Sequence, residues 1–279
     1  METKHIQGKV VAVCGKGGVG KTAFTTMLTK VLKDDPDTGR LLVVDADPAM
    51  GLLYALGVDT SNSIGAIREK VLEAAENGTA GEKTEVAEEL DYLIVNTLKE
   101  ADGFSYLAMG HMNAKGCFCS VNDLLHDSLA RLVDQFDTIV IDGEAGLEQI
   151  NRQVTDHVNT LLLVTDTSFR GQQTVKSIEK LVSDGYVPAC ERMGVVLNRL
   201  PNDDAAADMK GVFNLPVYGV IPLDPVVEQF DRKGRSLLEL PNDNPAILAV
   251  KNVIDTGTSL LNNPAIPEEI LQEDLSGSP

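Results

Sequence analysis

The sequence predicts an α/β protein, a mostly parallel twisted sheet with helices on both faces. Three observations predict it. Short runs rich in Val, Ile and Leu alternate with helix-length segments along the chain. Several of these runs are apolar at consecutive positions, as strands buried on both faces require. The first run also passes through a glycine-rich turn directly into a helical pattern, the order expected where parallel strands are joined by crossover helices.

Taken in order, the strand-like runs are KVVAVCG (9–15), LLVVDAD (41–47), YLIVNT (92–97), DTIVIDG (137–143), NTLLLVTD (159–166), MGVVLNR (193–199) and LPVYGVIP (215–222). Helices are expected over 21–33, 64–77, 120–135, 171–184, 203–211 and 245–261. The stretch from about 60 to 116 fits the alternation least. It carries an acidic helical part read as a solvated face, then a loop-like piece, LKEADGFSYLAMGHMNAKG, ending at two cysteines. No internal repeat and no low-complexity linker divides the chain, so residues 1–279 are expected to form a single domain.

Composition narrows the function. The 279 residues carry 42 acidic against 24 basic side chains, a formal net charge of −18. Such a surface repels nucleic acid and anionic lipid, whose phosphates are bound by Lys and Arg. No apolar run approaches the roughly 18–20 residues needed to span a bilayer, and the polar start METKHIQGK does not read as a signal peptide. A cytoplasmic protein without nucleic-acid or membrane partners is the expectation. Four cysteines in that setting point to metal ligands, redox groups or core residues rather than disulfides. Cys14 and Cys190 lie in or beside apolar runs and are expected to fill the core.

GKGGVGKT (15–22) fits the phosphate-loop pattern G-x-x-x-x-G-K-[ST]. Its glycines permit the turns that aim successive backbone N–H groups at phosphate oxygens, and the following helix adds its positive end. Lys21 is expected to neutralise the β- and γ-phosphates of ATP, or the β-phosphate of ADP, and the Thr22 hydroxyl to ligate Mg²⁺. Gly15, Lys16, Gly17, Gly18, Val19, Gly20, Lys21, Thr22 and Ala23 together make the expected nucleotide cradle.

Lys16, directly after the first glycine, resembles the signature lysine of the deviant phosphate loop found in MinD, ParA and the nitrogenase iron protein. The resemblance extends over nearly the whole chain and is weakest between 60 and 110. It implies a Mg²⁺-dependent ATPase that works as a homodimer, with Lys16 reaching the partner's nucleotide. It also implies that Asp47 in DADP (45–48) orients the attacking water and helps hold Mg²⁺, and that Asp142 in DGEAG (142–146) holds Mg²⁺ through water. Asn198 corresponds to the adenine-reading asparagine, and Pro222 and Asp224 belong to the segment IPLD that closes over the base. Each has a plain reading as a strand end or turn. Their shared placement at strand ends argues for function, because parallel sheets bind ligands there.

Within that family, a MinD-like member needs a basic amphipathic C-terminal helix, whereas this chain ends AIPEEILQEDLSGSP; a ParA-like member needs a basic face for DNA. The GCFCS motif (116–120) points elsewhere. C-x-C alone is a weak signal and supplies half of a four-coordinate thiolate site. Ser120 and Asp123 form a capping signature, so Cys119 precedes a helix whose dipole favours a thiolate. If two copies pair, four sulfurs meet on the axis. MGHMNAKGCFCS (109–120) is similar to the cysteine region of CooC-type ATPases, which mature nickel-containing carbon monoxide dehydrogenase. That similarity implies Cys117 and Cys119 as ligands to Ni²⁺ or Zn²⁺ in a loop at about 103–120, with a metalloenzyme such as carbon monoxide dehydrogenase as client. Met109, His111 and Met112 are weaker candidates. An interfacial [4Fe–4S] cluster, as in the nitrogenase iron protein, is the alternative, and a metal-free regulatory ATPase is a third.

Overall fold

The computed structural model describes residues 9–60, 62–111, 119–143, 157–184, 190–209 and 211–261. Eight strands among them form one sheet: β1 (Lys9–Cys14), β2 (Leu41–Asp45), β3 (Lys99–Ala101), β4 (Phe104–Ala108), β5 (Thr138–Asp142), β6 (Val158–Thr165), β7 (Cys190–Leu200) and β8 (Val217–Pro222), in the order β3-β4-β2-β5-β1-β6-β7-β8. Every pairing is parallel except β3 with β4 at the edge. β2, β4 and β5 are buried at every position, which explains the consecutive apolar residues of β2 and β5.

Two apolar layers sandwich the sheet. On one face lie α1 (Lys21–Lys33), α2 (Leu52–Leu56), α8 (Pro225–Arg232) and α9 (Pro245–Leu261); on the other lie α3 (Ile64–Asn77), α4 (Ala80–Val95), α5 (Cys119–Val133), α6 (Phe169–Ser183) and the short α7 (Asp203–Ala207). α1 is a helix because Phe24, Met27 and Leu28 recur at helical spacing and bury one stripe against the sheet. Each such side chain contributes about 1.5–3 kcal/mol by leaving water. Ser63 opens α3 by accepting the Ala66 N–H at 3.3 Å, and Ser168 opens α6 by accepting that of Gly171 at 3.1 Å; a cap of this kind is worth about 1 kcal/mol.

The predicted architecture holds, with three corrections. The run 92–97 is not a strand. It forms the last turn of α4 and its exit, with Leu90 and Ile94 buried and Tyr92 and Val95 exposed, the spacing of a helix rather than a strand. The piece read as a loop contains the β3–β4 hairpin, turning at Gly103 with φ +82°. Two short helices, α2 and α8, also follow strand ends where none was expected. Cys14 is fully buried and Cys190 half-buried. Burial pushes their thiol pKa values up to about 12 and about 11.

Candidate nucleotide site

β1 lies inside the sheet between β5 and β6; the chain passes from it to β2 on one side, and after β5 it crosses to β6 on the other. The crevice at the carboxyl ends of strands around such a reversal is where parallel sheets take ligands. A cleft of about 710 Å³ opens there, lined by the phosphate loop, Asp47, Asn198, Pro222, Asp224 and the first turns of α2 and α8. Its size suits a nucleotide.

The loop is shaped by its glycines. At Gly15, φ is +151° and a Cβ would lie 2.1 Å from the Val164 carbonyl oxygen on β6. At Gly20, φ is +88° and a Cβ would lie 2.6 Å from Asn198 Nδ2. Val19 is buried, while Gly17 and Gly18 face solvent and Lys16 is half-exposed. Lys21 Nζ donates to the Lys16 carbonyl at 3.3 Å, which folds the ammonium across the loop. Ala23 lines the same cleft one residue into α1.

Beneath the loop, Asp142 ends β5. Its two carboxylate oxygens accept from the Thr22 and Thr25 hydroxyls, both at 2.9 Å. Asp142 is almost fully buried, and burial pushes its pKa up to about 6 against the opposing pull of the two hydroxyls and of Lys21. The neighbouring strand places Asp45 directly opposite Asp142. Asp45 is fully buried too, and burial together with the Asp142 charge pushes it up to about 7. Asp142 and the Thr22 hydroxyl bonded to it, with Asp47 on the cleft wall, form a hard-oxygen donor set that suits Mg²⁺.

Asp47 stands at the cleft wall, on the 46–51 segment between β2 and α2. Its N–H donates to Asp45 Oδ1 at 3.1 Å, and its own Oδ1 accepts the Ala49 N–H at 2.8 Å. Met50 in this segment has φ +49°, a left-handed conformation uncommon for a residue with a side chain. Across the cleft, Asn198 Nδ2 donates to the Val19 carbonyl at 2.8 Å, so its amide N–H₂ braces the phosphate loop. Asp224 is spent as a cap: Oδ1 accepts the Val226 and Val227 N–H groups, and Oδ2 accepts from Asn244 Nδ2 at 2.8 Å. With Pro222 it lines the cleft.

Three contributors escape motif reading. Thr25 lies one helical turn after Thr22, and that spacing is the one local signal for it. Arg199 follows Asn198, has φ +58°, and turns its guanidinium back to the Gly18 carbonyl at 3.3 Å. Tyr106 donates its phenol to Asp45 Oδ2 at 3.1 Å, and nothing in the sequence near it announces that role.

At the same end of the sheet β4 runs into the segment that carries the cysteines. Cys117, Met112 and the side chain of Cys119 lie outside the described residues; the backbone of Cys119 begins α5, one residue earlier than expected. Met109 is fully buried in the core and His111 is exposed. Among the described residues no cluster of three or more His, Cys, Asp or Glu side chains forms a metal cage, and no helix is long and apolar enough to cross a membrane.

Residues 8–185 match a family model described as an AAA domain. An uncharacterized ATP-binding protein of Methanocaldococcus jannaschii is 36% identical over 251 residues, covering 88% of this chain and 97% of its own. The carbon monoxide dehydrogenase accessory protein CooC of Rhodospirillum rubrum is 29% identical over 244 residues, covering 82% and 89%. In three dimensions the cell division ATPase MinD of Pyrococcus furiosus superposes with a TM-score of 0.64 at 23% identity, over 91% of this chain and 99% of its own. A phosphate loop on the central strand, buried acids at the neighbouring strand ends and these likenesses agree: the chain belongs to the AAA domain family and is an ATP-binding ATPase with the MinD/ParA fold.

Proposed function

We propose that this ATPase is a metallochaperone that works as a homodimer, binds nickel or zinc through Cys117 and Cys119 of both copies, and assists metal insertion into an enzyme such as carbon monoxide dehydrogenase. The observation that supports this reading is the end of the sheet at which β4 delivers the chain. β4 and β1 run in the same direction through the sheet, so the chain leading to Cys117 leaves at the end where the phosphate loop lies. Met109 N–H donates to the Asp45 carbonyl at 2.9 Å, which fastens the exit of β4 to the end of β2, the strand that leads to Asp47. The likeness to CooC over most of both chains supports the same reading.

In this reading the phosphate loop and Lys21 hold the phosphates of ATP, and Lys16 reaches those of the partner. Thr22, Asp142 and Asp47 hold Mg²⁺, which supplies charge neutralisation on the phosphates. Asp47 orients water for attack. The Asn198 amide N–H₂ is engaged with the phosphate loop, which leaves its carbonyl oxygen as the group to meet the base. An acceptor at that place suits the exocyclic amino group of adenine and opposes the carbonyl of guanine. A metal site divided between two copies binds the paired state better than the single one, so nucleotide-driven pairing and metal affinity are linked.

Sizing chromatography with metal analysis, run with ATP, with ADP and with neither, tests the proposal. One nickel or zinc ion per dimer, lost in Cys117→Ser, is expected. One ion per monomer, indifferent to pairing, would sink it. Iron and sulfide in anaerobically purified protein would instead favour the interfacial cluster.

A further inference from the structure

The side-chain hydrogen bond between Tyr106 and Asp45 joins two parts of the molecule that are distant in sequence. Tyr106 sits in the middle of β4, fully buried, opposite Val43 of β2. Its phenol reaches along the strand to Asp45 Oδ2. That carboxylate holds both ends of the 46–51 segment: Oδ1 takes the Asp47 N–H, and Oδ2 takes the Leu52 N–H at 3.0 Å, the first residue of α2. Leu52 is fully buried, so the far end of the segment is anchored by packing as well. Between these two points lies Met50 in its left-handed conformation, a backbone state that persists only where its surroundings impose it.

From this geometry we infer that Tyr106 is a positioning residue for ATP hydrolysis, acting through Asp45 to fix the loop that carries Asp47. The inference rests on the reading of Asp47 as the residue that orients water. A buried carboxylate accepting from two backbone N–H groups and a phenol is held in one orientation. Removing the phenol leaves Oδ2 with the Leu52 N–H and gives the carboxyl group room to rotate. Because Asp45 fastens the Asp47 N–H directly, rotation there moves Asp47 relative to the phosphates. Tyr106 itself does not line the nucleotide cleft, so its loss leaves the contacts that bind ATP in place. A displacement of about 1 Å at a group that positions a reactant costs up to about 100-fold in rate.

Tyr106→Phe keeps the ring and deletes one oxygen. A fall of about tenfold in kcat with KM for ATP and affinity for ADP unchanged within about twofold is expected, measured at a temperature where thermal scans show the variant folded. Hydrogen exchange across 46–52 should quicken in the same protein. Asp45→Asn probes the link from the other side and is used should the phenylalanine variant fail to fold. Asp47→Asn separates the inference from the reading beneath it. If Asp47→Asn abolishes hydrolysis while Tyr106→Phe leaves kcat unchanged, the inference fails alone. If Asp47→Asn leaves kcat unchanged, the reading of Asp47 fails and the inference with it. When both variants lower kcat, the double variant should be no slower than Asp47→Asn; a further tenfold loss would show that Tyr106 acts elsewhere and overturn the inference.

Discussion

Thr25→Val tests the electrostatics of the site at a residue that no phosphate-loop pattern includes. The substitution is nearly isosteric and removes one hydroxyl from Asp142 Oδ1, in a position with no exposure to water. A hydrogen bond to a charged group contributes about 1.5–3 kcal/mol, and about 1.4 kcal/mol corresponds to one pKa unit. The Asp142 carboxyl, already pushed up to about 6 by burial, should therefore titrate about one to two units higher in the variant. At pH 7 the proton would then compete for this carboxylate with the Mg²⁺ that the proposed function assigns to it. The magnesium concentration giving half-maximal hydrolysis should rise about two- to tenfold. At pH 9 wild type and variant are both ionised there, and the difference should vanish. The lost bond should also lower the melting temperature by about 3–10 °C. The assay is a magnesium titration of ATPase rate at pH 7 and pH 9, with thermal scans to keep both proteins folded. An identical magnesium requirement at pH 7 would refute the argument that Thr25 holds Asp142 in its ionised form.

Other expectations follow from the same geometry. Gly20→Ala places a Cβ 2.6 Å from Asn198 Nδ2 at φ +88°; ADP affinity measured by calorimetry should fall at least about tenfold, from strain of about 1–2 kcal/mol plus the displaced asparagine. On the proposed homodimer, in which Lys16 reaches the partner's phosphates, Lys16→Gln should bind ADP within about threefold of wild type yet lose about 100-fold or more of its hydrolysis, with ATP-dependent pairing on a sizing column lost as well. Asn198→Asp replaces the N–H₂ that donates to the Val19 carbonyl with a second acceptor, and ATP affinity should drop about tenfold or more. The raised thiol pKa values of Cys14 and Cys190 keep both protonated well above pH 8, because the thiolate forms only as pH passes the raised value. Iodoacetamide at pH 8 should leave Cys14 unmodified in the folded protein and label it in urea, read by peptide mass.

How much of this was legible in the sequence depended on how far apart the cooperating residues lie. The phosphate loop is a contiguous instruction: strand, glycines, Lys21 and Thr22 occupy a short stretch in which each residue does its work beside its neighbours. That the acids at the ends of β2 and β5 gather at one end of the sheet was legible because a parallel sheet turns every such strand end toward one crevice, while the roles expected of Asp47 and Asp142 came from the family resemblance. The 92–97 run misled because four consecutive apolar residues suit a buried strand and the end of a helix equally. Only packing distinguishes them, with Ile94 inside and Val95 outside. β4 hid for the opposite reason. Its FSYLA carries a serine and a tyrosine that read as surface residues, yet Ser105 is buried and bonded to Glu100 on β3 while Tyr106 is bonded to Asp45.

That last misreading bears on function, because a buried polar residue inside a strand is costly unless a partner satisfies it. The partner of Tyr106 stands 61 residues earlier, and that of Thr25 stands 117 residues later. Neither pair is visible to any local pattern, and both converge on the two carboxylates that end β2 and β5. Motif residues thus identify what the site binds. The orientation of its acids is instead set by hydroxyls from a helix and a strand whose sequences look like ordinary core. Substitutions at Thr25 and Tyr106 should therefore change catalytic behaviour more than their surroundings suggest, and changes at exposed positions of other elements, such as Tyr92 on α4 or Leu124 on α5, should not.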